Sequence, residues 1–175
     1  MNFKIFRVFR VFRGFKIPNS SFLIPNYSAI LPPMCIFCEI VAGRIPCSKV
    51  YEDDTSIVFL DIHPIERGHA LVVLKRHAPT LLDARPEELE KVIGIVQKVS
   101  RAMVDCGLGE GFNVLQNNGK VAGQEVPHLH FHVIPRTSTS DPRNWKSGAA
   151  VYVSAEERDA VASQIRSALG QGDAP

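Results

Sequence analysis

The sequence predicts an α+β fold built on an antiparallel sheet. Three observations carry that class. Five short runs rich in β-branched and aliphatic residues, at 50–52, 57–62, 69–75, 112–116 and 128–134, are bounded by turn residues. The first three succeed one another through turns alone. One long helical period, from Pro86 to Cys106, separates the third run from the fourth, an order that fits α+β better than a doubly wound parallel sheet.

Residues 1–34 stand apart from the rest of the chain. They carry five Lys or Arg and no acid, and Phe3, Phe6, Phe9, Phe12 and Phe15 are each followed by a basic residue. A helix turns about 100° per residue, so a period of three drifts and gives no clean amphipathic stripe. A basic, acid-free start followed by a Pro-punctuated stretch to Pro33 suits an organellar targeting peptide and a mitochondrial location. Sparse serine in the first 17 residues and the absence of alanine there count against it. A disordered tail, or translation beginning at Met34, are the competing readings and go with a cytoplasmic protein.

Globular sequence begins at Cys35. The run Cys35-Ile-Phe-Cys-Glu-Ile-Val-Ala-Gly reads as a short helix over about 37–42, stopped by Gly43. Val50–Glu52 and Ile57–Ile62, joined at Asp53-Asp54, read as a hairpin that His63-Pro64 ends. Gly68 permits a turn before the strand His69–Lys75. In the long helix, Leu89, Val92, Val96, Val99, Met103 and Cys106 keep helical spacing, with Pro86 in the first turn and Gly107 at the stop. Gly94 interrupts this helix at a cost of about 1 kcal/mol relative to Ala, which suggests close packing there. Phe112–Gln116 is a strand, Asn117–Gly123 a glycine-containing loop, and His128–Ile134 the last strand. The domain therefore spans 35–140. Residues 141–175 form a C-terminal tail whose helix, about 155–169, opens on the capping-box pattern Ser154-x-x-Glu157 and carries a narrow seam of Val161, Ile165 and Leu169.

Composition excludes several classes. At 175 residues, with 45% apolar and 22% charged residues, the chain has room for one domain with a real core. A net charge of +2 is too small to argue for nucleic acid, and from residue 35 onward 18 acids outnumber 15 bases. No apolar run approaches the roughly 20 residues that span a bilayer. Four cysteines in a chain this size are not a secreted disulfide framework, so a reducing, intracellular compartment is expected.

The chemistry concentrates in His128-Leu-His-Phe-His-Val-Ile. Side chains alternate along a strand, so His128, His130 and His132 share one face while Leu129, Phe131 and Val133 enter a core. Such a row serves either a metal or catalysis. Neutral imidazole is a good nucleophile, and His130 has a second imidazole on either side, about 6.5–7 Å away along the strand. Phosphorus is its natural target, and the loop Asn117–Gln124 offers amides, a lysine and flexible backbone for phosphate oxygens. Cys35-x-x-Cys38 supplies half of a zinc site, and with no second such pair the remaining ligands must be histidines. A redox role is disfavoured because no thioredoxin-like strand precedes the pair.

The row matches the His-φ-His-φ-His-φ-φ signature, and the chain resembles the histidine triad (HIT) superfamily of nucleotide hydrolases and transferases. Cys35-Ile-Phe-Cys-Glu-Ile-Val-Ala-Gly-Arg-Ile-Pro, Val50-Tyr-Glu-Asp-Asp, Phe59-Leu-Asp-Ile, Gly68-His69, Lys75-Arg76-His77 and Asn117-Asn-Gly-Lys-Val-Ala-Gly-Gln all fall in the family's order. The similarity spans about 35–136 and is greatest to the Hint-related branch. It implies a HIT-like antiparallel sheet of about five strands with one long helix and short flanking helices, in a homodimer that hydrolyses purine nucleoside 5′-phosphoramidates. By the same resemblance, His130 is the nucleophile that forms a nucleotidyl-histidine, His132 contacts phosphate, and His69 supports the nucleophile. Asp61 holds the ribose hydroxyls, the base packs at Ile62, and Asn117 and Gln124 line the nucleotide. Cys35, Cys38, His77 and His128 hold a structural Zn2+.

Three positions depart from the pattern. Leu74 replaces a proline, His63 fills a loop position usually held by a small residue, and Glu125 stands where a serine often lies beside the leaving group. The alternatives are a dinucleoside polyphosphate hydrolase, against which the Cys-x-x-Cys weighs, a low-turnover nucleotide-binding regulator, and a zinc-scaffolded interaction protein. The uridylyltransferase branch does not fit, since proline separates its histidines where this chain has Leu129 and Phe131.

Overall fold

The structure is a computed structural model that describes residues 35–171; the basic segment 1–34, with its targeting and tail readings, lies outside the described residues. Five strands form one antiparallel sheet in the order β1-β2-β3-β5-β4. They are β1 (Lys49–Glu52), β2 (Ser56–Leu60), β3 (Ala70–Leu74), β4 (Gly111–Leu115) and β5 (His130–Arg136). Three helices accompany them, α1 (Ile36–Val41), α2 (Pro86–Asp105) and α3 (Ala155–Gln171). The α+β architecture, the strand count and the single long helix between β3 and β4 are as the sequence predicts.

β2 and β3 read as continuous apolar runs because both faces of the sheet are covered there, and all ten of their residues are buried. On one face Val58, Leu60, Ala70, Val72 and Leu74 meet α2 and α3. On the other, Ile57, Phe59, Leu71 and Val73 meet Phe37 and Ile40 of α1. Directly opposed residues of paired strands share a face. Val73 opposes His130 and Leu71 opposes His132, so both histidines lie on the α1 side. Leu129, Phe131 and Val133 enter the core under α2 and α3.

The last strand runs His130–Arg136 and not 128–134. β3 ends at Leu74, and the chain then turns through Lys75–Ala78, so the ladder has no partner for His128. Instead Leu129 N–H bonds Ala78 O at 2.6 Å and His128 N–H bonds Val126 O at 2.8 Å. His128 becomes a corner residue. Gly94 also corrects an expectation, since a Cβ built there meets nothing within 4 Å in this chain. Gly109, by contrast, must be glycine, because a Cβ would lie 2.8 Å from Gly111 O and 2.9 Å from the Arg136 backbone. α3 belongs to the main core, where Val161, Ala162 and Ile165 are buried. Among the described residues no helix is long and apolar enough to cross a membrane.

Candidate active site and metal centre

Two histidine clusters abut at the start of β5. The first joins the α1 segment to that strand. Cys35 and Cys38, one helical turn apart, bring their sulfurs toward His77, which follows β3, and His128. Cys35 Sγ lies 3.3 Å from His128 Nδ1, Cys38 Sγ 3.3 Å from His77 Nδ1 and 3.6 Å from His128 Nδ1, and the two Nδ1 atoms 3.3 Å apart. A tetrahedral ion with bonds of about 2.3 Å to sulfur and 2.0–2.1 Å to nitrogen requires S–N and N–N edges of roughly 3.3–3.6 Å, and these four distances fit. His128 Nε2–H donates to Leu74 O at 2.6 Å, which fixes the tautomer with Nδ1 free for a cation. Burial and the neighbouring Cys35 push the Cys38 thiol up to about 11. A divalent cation reverses that by favouring the thiolates. These four residues form a possible metal site.

The second cluster contains His69, His130 and His132 with Asp61. Backbone geometry assigns its tautomers. Ile65 N–H donates to His69 Nδ1 at 3.1 Å, so the proton of neutral His69 is on Nε2. That N–H donates to His132 Nδ1 at 2.9 Å, which puts the His132 proton on Nε2. His130 Nδ1–H donates to His128 O at 2.6 Å, leaving the lone pair of His130 on Nε2. Burial keeps all three neutral. It lowers His69 to about 4 despite Asp61, and lowers His132 to about 3 with help from His130 and His69; His130 is lowered as well. Asp61 Oδ2 lies 3.7 Å from His69 Nδ1, and Asp61 Oδ1 accepts from His63 N–H at 2.8 Å. Asp61, His69 and His132 are also close enough to hold a cation. Their nitrogens, however, are already engaged with Ile65 and with one another, which suits a proton-ordered chain.

The remaining predicted residues fall around these clusters. Ile62 is 62% exposed at the head of the loop after β2, where a planar ligand can lie on it. Asn117 closes its loop on Gly123 O at 3.4 Å. Gln124 is buried with both ends of its amide used, donating to Pro79 O at 2.6 Å and accepting from Gly119 N at 2.7 Å. Its geometry is that of a loop brace. His63 and Glu125 are exposed.

Sequence reasoning missed Phe37. It lies between the two cysteines and packs edge-on against His130 with ring centroids 5.1 Å apart, against His128 at 5.9 Å and against Phe59 at 5.7 Å. Its position inside Cys-x-x-Cys was the available signal, because anything between two converging ligands is carried to the same place. It also missed Ile65, which acts through its backbone and leaves no signature of side-chain type.

The HIT domain profile matches residues 42–139. The adenosine 5′-monophosphoramidase hnt1 of Schizosaccharomyces pombe is 47% identical over 102 residues, which are 58% of this chain and 74% of that one. The adenylylsulfatase HINT3 of Arabidopsis thaliana is 41% identical over 109 residues, 62% of this chain and 55% of that one. Among solved structures, a Zn-bound histidine triad family protein from Mycobacterium smegmatis superposes with a TM-score of 0.71 at 35% identity, covering 80% of this chain and 96% of its own. A profile match over more than half of the chain, on a sheet that carries the histidine row, leaves one assignment: the protein belongs to the HIT family and is an enzyme of the HIT type.

Proposed function

We propose that the protein hydrolyses purine nucleoside 5′-phosphoramidates through a covalent nucleotidyl-histidine. The observation that carries this reading is the lone pair on His130 Nε2, fixed by the bond from Nδ1–H to His128 O. In the first step that lone pair attacks the α-phosphorus. The P–N bond to the amine breaks as the amine takes up a proton from solvent water, and the water that attacks in the second step returns one. His128 O stabilises the positive charge that develops on the His130 ring, and His132 Nε2–H donates to a non-bridging oxygen. In the second step water attacks phosphorus, the bond to His130 breaks, and the nucleoside monophosphate leaves. Asp61 accepts the ribose hydroxyls and Ile62 packs on the base, with Asn117 near the phosphate. Phosphoramidate chemistry is supported by the relative named for it, and the relative named an adenylylsulfatase makes adenylyl sulfate a second substrate to test.

Zn2+ is the proposed ion at Cys35, Cys38, His77 and His128. When bound it supplies a structural clamp, and no step of the reaction passes through it. A homodimer is supported by the open edge of β4. Phe112 and Val114 are 46% and 43% exposed there, and they share a face with Pro135 and Val133, the side of the sheet that α2 covers. Ile93 of α2 is 50% exposed, beside the open position of Gly94. Glu125 places a carboxylate on the loop that leads to His128, and it disfavours anionic leaving groups relative to amines.

The test is His130→Ala assayed against adenosine and guanosine phosphoramidates, adenylyl sulfate and a dinucleoside polyphosphate. Turnover of the phosphoramidates is expected to fall by at least about 10³-fold while affinity for the nucleoside monophosphate is retained. Equal turnover by variant and parent would remove the covalent mechanism.

A further inference from the structure

The loop between Asp61 and His69 is bonded on both of its sides. On the inner side His63 N–H holds Asp61 Oδ1 and Ile65 N–H holds His69 Nδ1. On the outer side the anchors come from residues 136–157, most of them beyond the HIT domain match. Gly148 N–H donates to His63 O at 2.9 Å and Ser147 Oγ–H to the same oxygen at 3.0 Å. Ala150 N–H donates to Pro64 O at 3.1 Å. Gly68 N–H donates to Tyr152 Oη at 2.9 Å, and Arg67 pairs with Glu157. Arg136, 8% exposed, closes the set from the end of β5: it pairs with Glu66 at 3.3 Å and donates to Asp141 O at 3.3 Å and Asn144 O at 2.9 Å. Its guanidinium also stacks 5.4 Å from the Trp145 ring.

A cavity of about 330 Å³ lies between this segment and the loop, walled by Ile62 and His63 on one side and Val151, Tyr152 and Arg158 on the other. Close packing therefore does not hold the loop across that gap, and the hydrogen bonds do. We infer that residues 141–157 are a strap that positions the 63–68 loop, and that Ser147 and Tyr152 are positioning residues acting through Asp61 and His69. The inner bonds are single contacts, made by a loop whose Pro64, Ile65 and Gly68 are buried while Ile62, His63 and Arg67 stay exposed. A loop that shifts by even about 1 Å loses the Ile65 bond that selects the His69 tautomer, and misplacement on this scale costs up to about 10²-fold in rate. The effect of the strap on turnover rests on the roles proposed above for Asp61 and His69 in the hydrolase.

The experiment compares the full chain with Ser147→Ala/Tyr152→Phe, which removes two hydroxyls and leaves both backbones and the aromatic ring. The single Tyr152→Phe is read the same way should the double variant fold poorly. Gln164→Ala is the control: Gln164 ties α3 to Cys106 O at 2.7 Å, away from the loop. Expected for the hydroxyl variants are a fall in kcat of about tenfold, weaker AMP binding, and loss of the single Nε2–H tautomer of His69 in 15N spectra. Gln164→Ala is expected to lower Tm while leaving kcat and the His69 signals unchanged. Wild-type kcat with an unchanged His69 signature in the hydroxyl variants overturns the inference, as does the same loss in Gln164→Ala. Absence of turnover in the wild type defeats the hydrolase reading instead, and the His69 spectra still decide the strap.

Discussion

A buried imidazole reports its environment through the proton it does not take up. His69 stays neutral down to about pH 4 because burial penalises the cation more than Asp61 favours it, and His132 down to about pH 3 because burial, His130 and His69 all disfavour its cation. In the unfolded chain both return to about 6.5, so between pH 6.5 and those values the unfolded state binds more protons. Stability is therefore full above pH 6.5 and falls as pH drops toward 4, by about 3 kcal/mol from His69 alone. Denaturant melts at pH 7.0 and 4.5 check this, with His69→Asn flattening the difference. The window avoids Glu88, which Arg76 holds near 2 and which titrates lower still. Stability independent of pH across it would mean that the native histidines are protonated. The residue types at this site were legible, since three imidazoles at period two have few other uses. Which nitrogen carries each proton was not, because Ile65 N–H and His128 O select the tautomers from the backbone.

α1 has six residues, too few to be stable alone. Phe37 and Ile40 bury it against the sheet, and the Cys35 and Cys38 donors lie beside His77 of the loop after β3 and His128 of the corner before β5, where the proposed ion would fasten them. In the proposed function the two ends of the histidine row thus have different duties. His128→Ala, or a chelator acting on the proposed ion, is expected to lower Tm by several degrees more than His130→Ala, whose loss is limited to the packing of one buried ring. Equal losses in differential scanning calorimetry would sink this division. The offset of β5 has its origin in the same corner. Apolar alternation continues through Leu129, so sequence pattern carries the strand back to His128, while the ladder stops where β3 turns away at Leu74. Gly94 shows the complementary limit. A glycine inside a helical pattern suggests close packing, yet its neighbours within this chain leave it open.

At the scale of the molecule, one sheet separates a core covered by α2 and α3 from the face that carries the histidines, and β4 ends the sheet on an exposed apolar edge. An edge carrying Phe112 and Val114 invites pairing with another chain unless something covers it. For the homodimer, Phe112→Asp/Val114→Asp should halve the mass seen by analytical ultracentrifugation. A variant that stays dimeric would place the interface elsewhere, and a monomeric parent would remove the dimer altogether.

The sequence by itself determined the fold class, the order of its elements and the two groups of side chains, because period, turn residues and ligand spacing are local properties of a chain. It also carried the resemblance that separates His128 from His130. Only the tertiary structure decided how the groups are held. Phe37 reaches His130 because α1 folds onto the sheet, Gln124 is consumed by Pro79 and Gly119, and the loop between Asp61 and His69 is gripped by residues more than 80 positions later. Those contacts join segments far apart in the chain through backbone atoms that every residue shares, and no residue type announces them in advance.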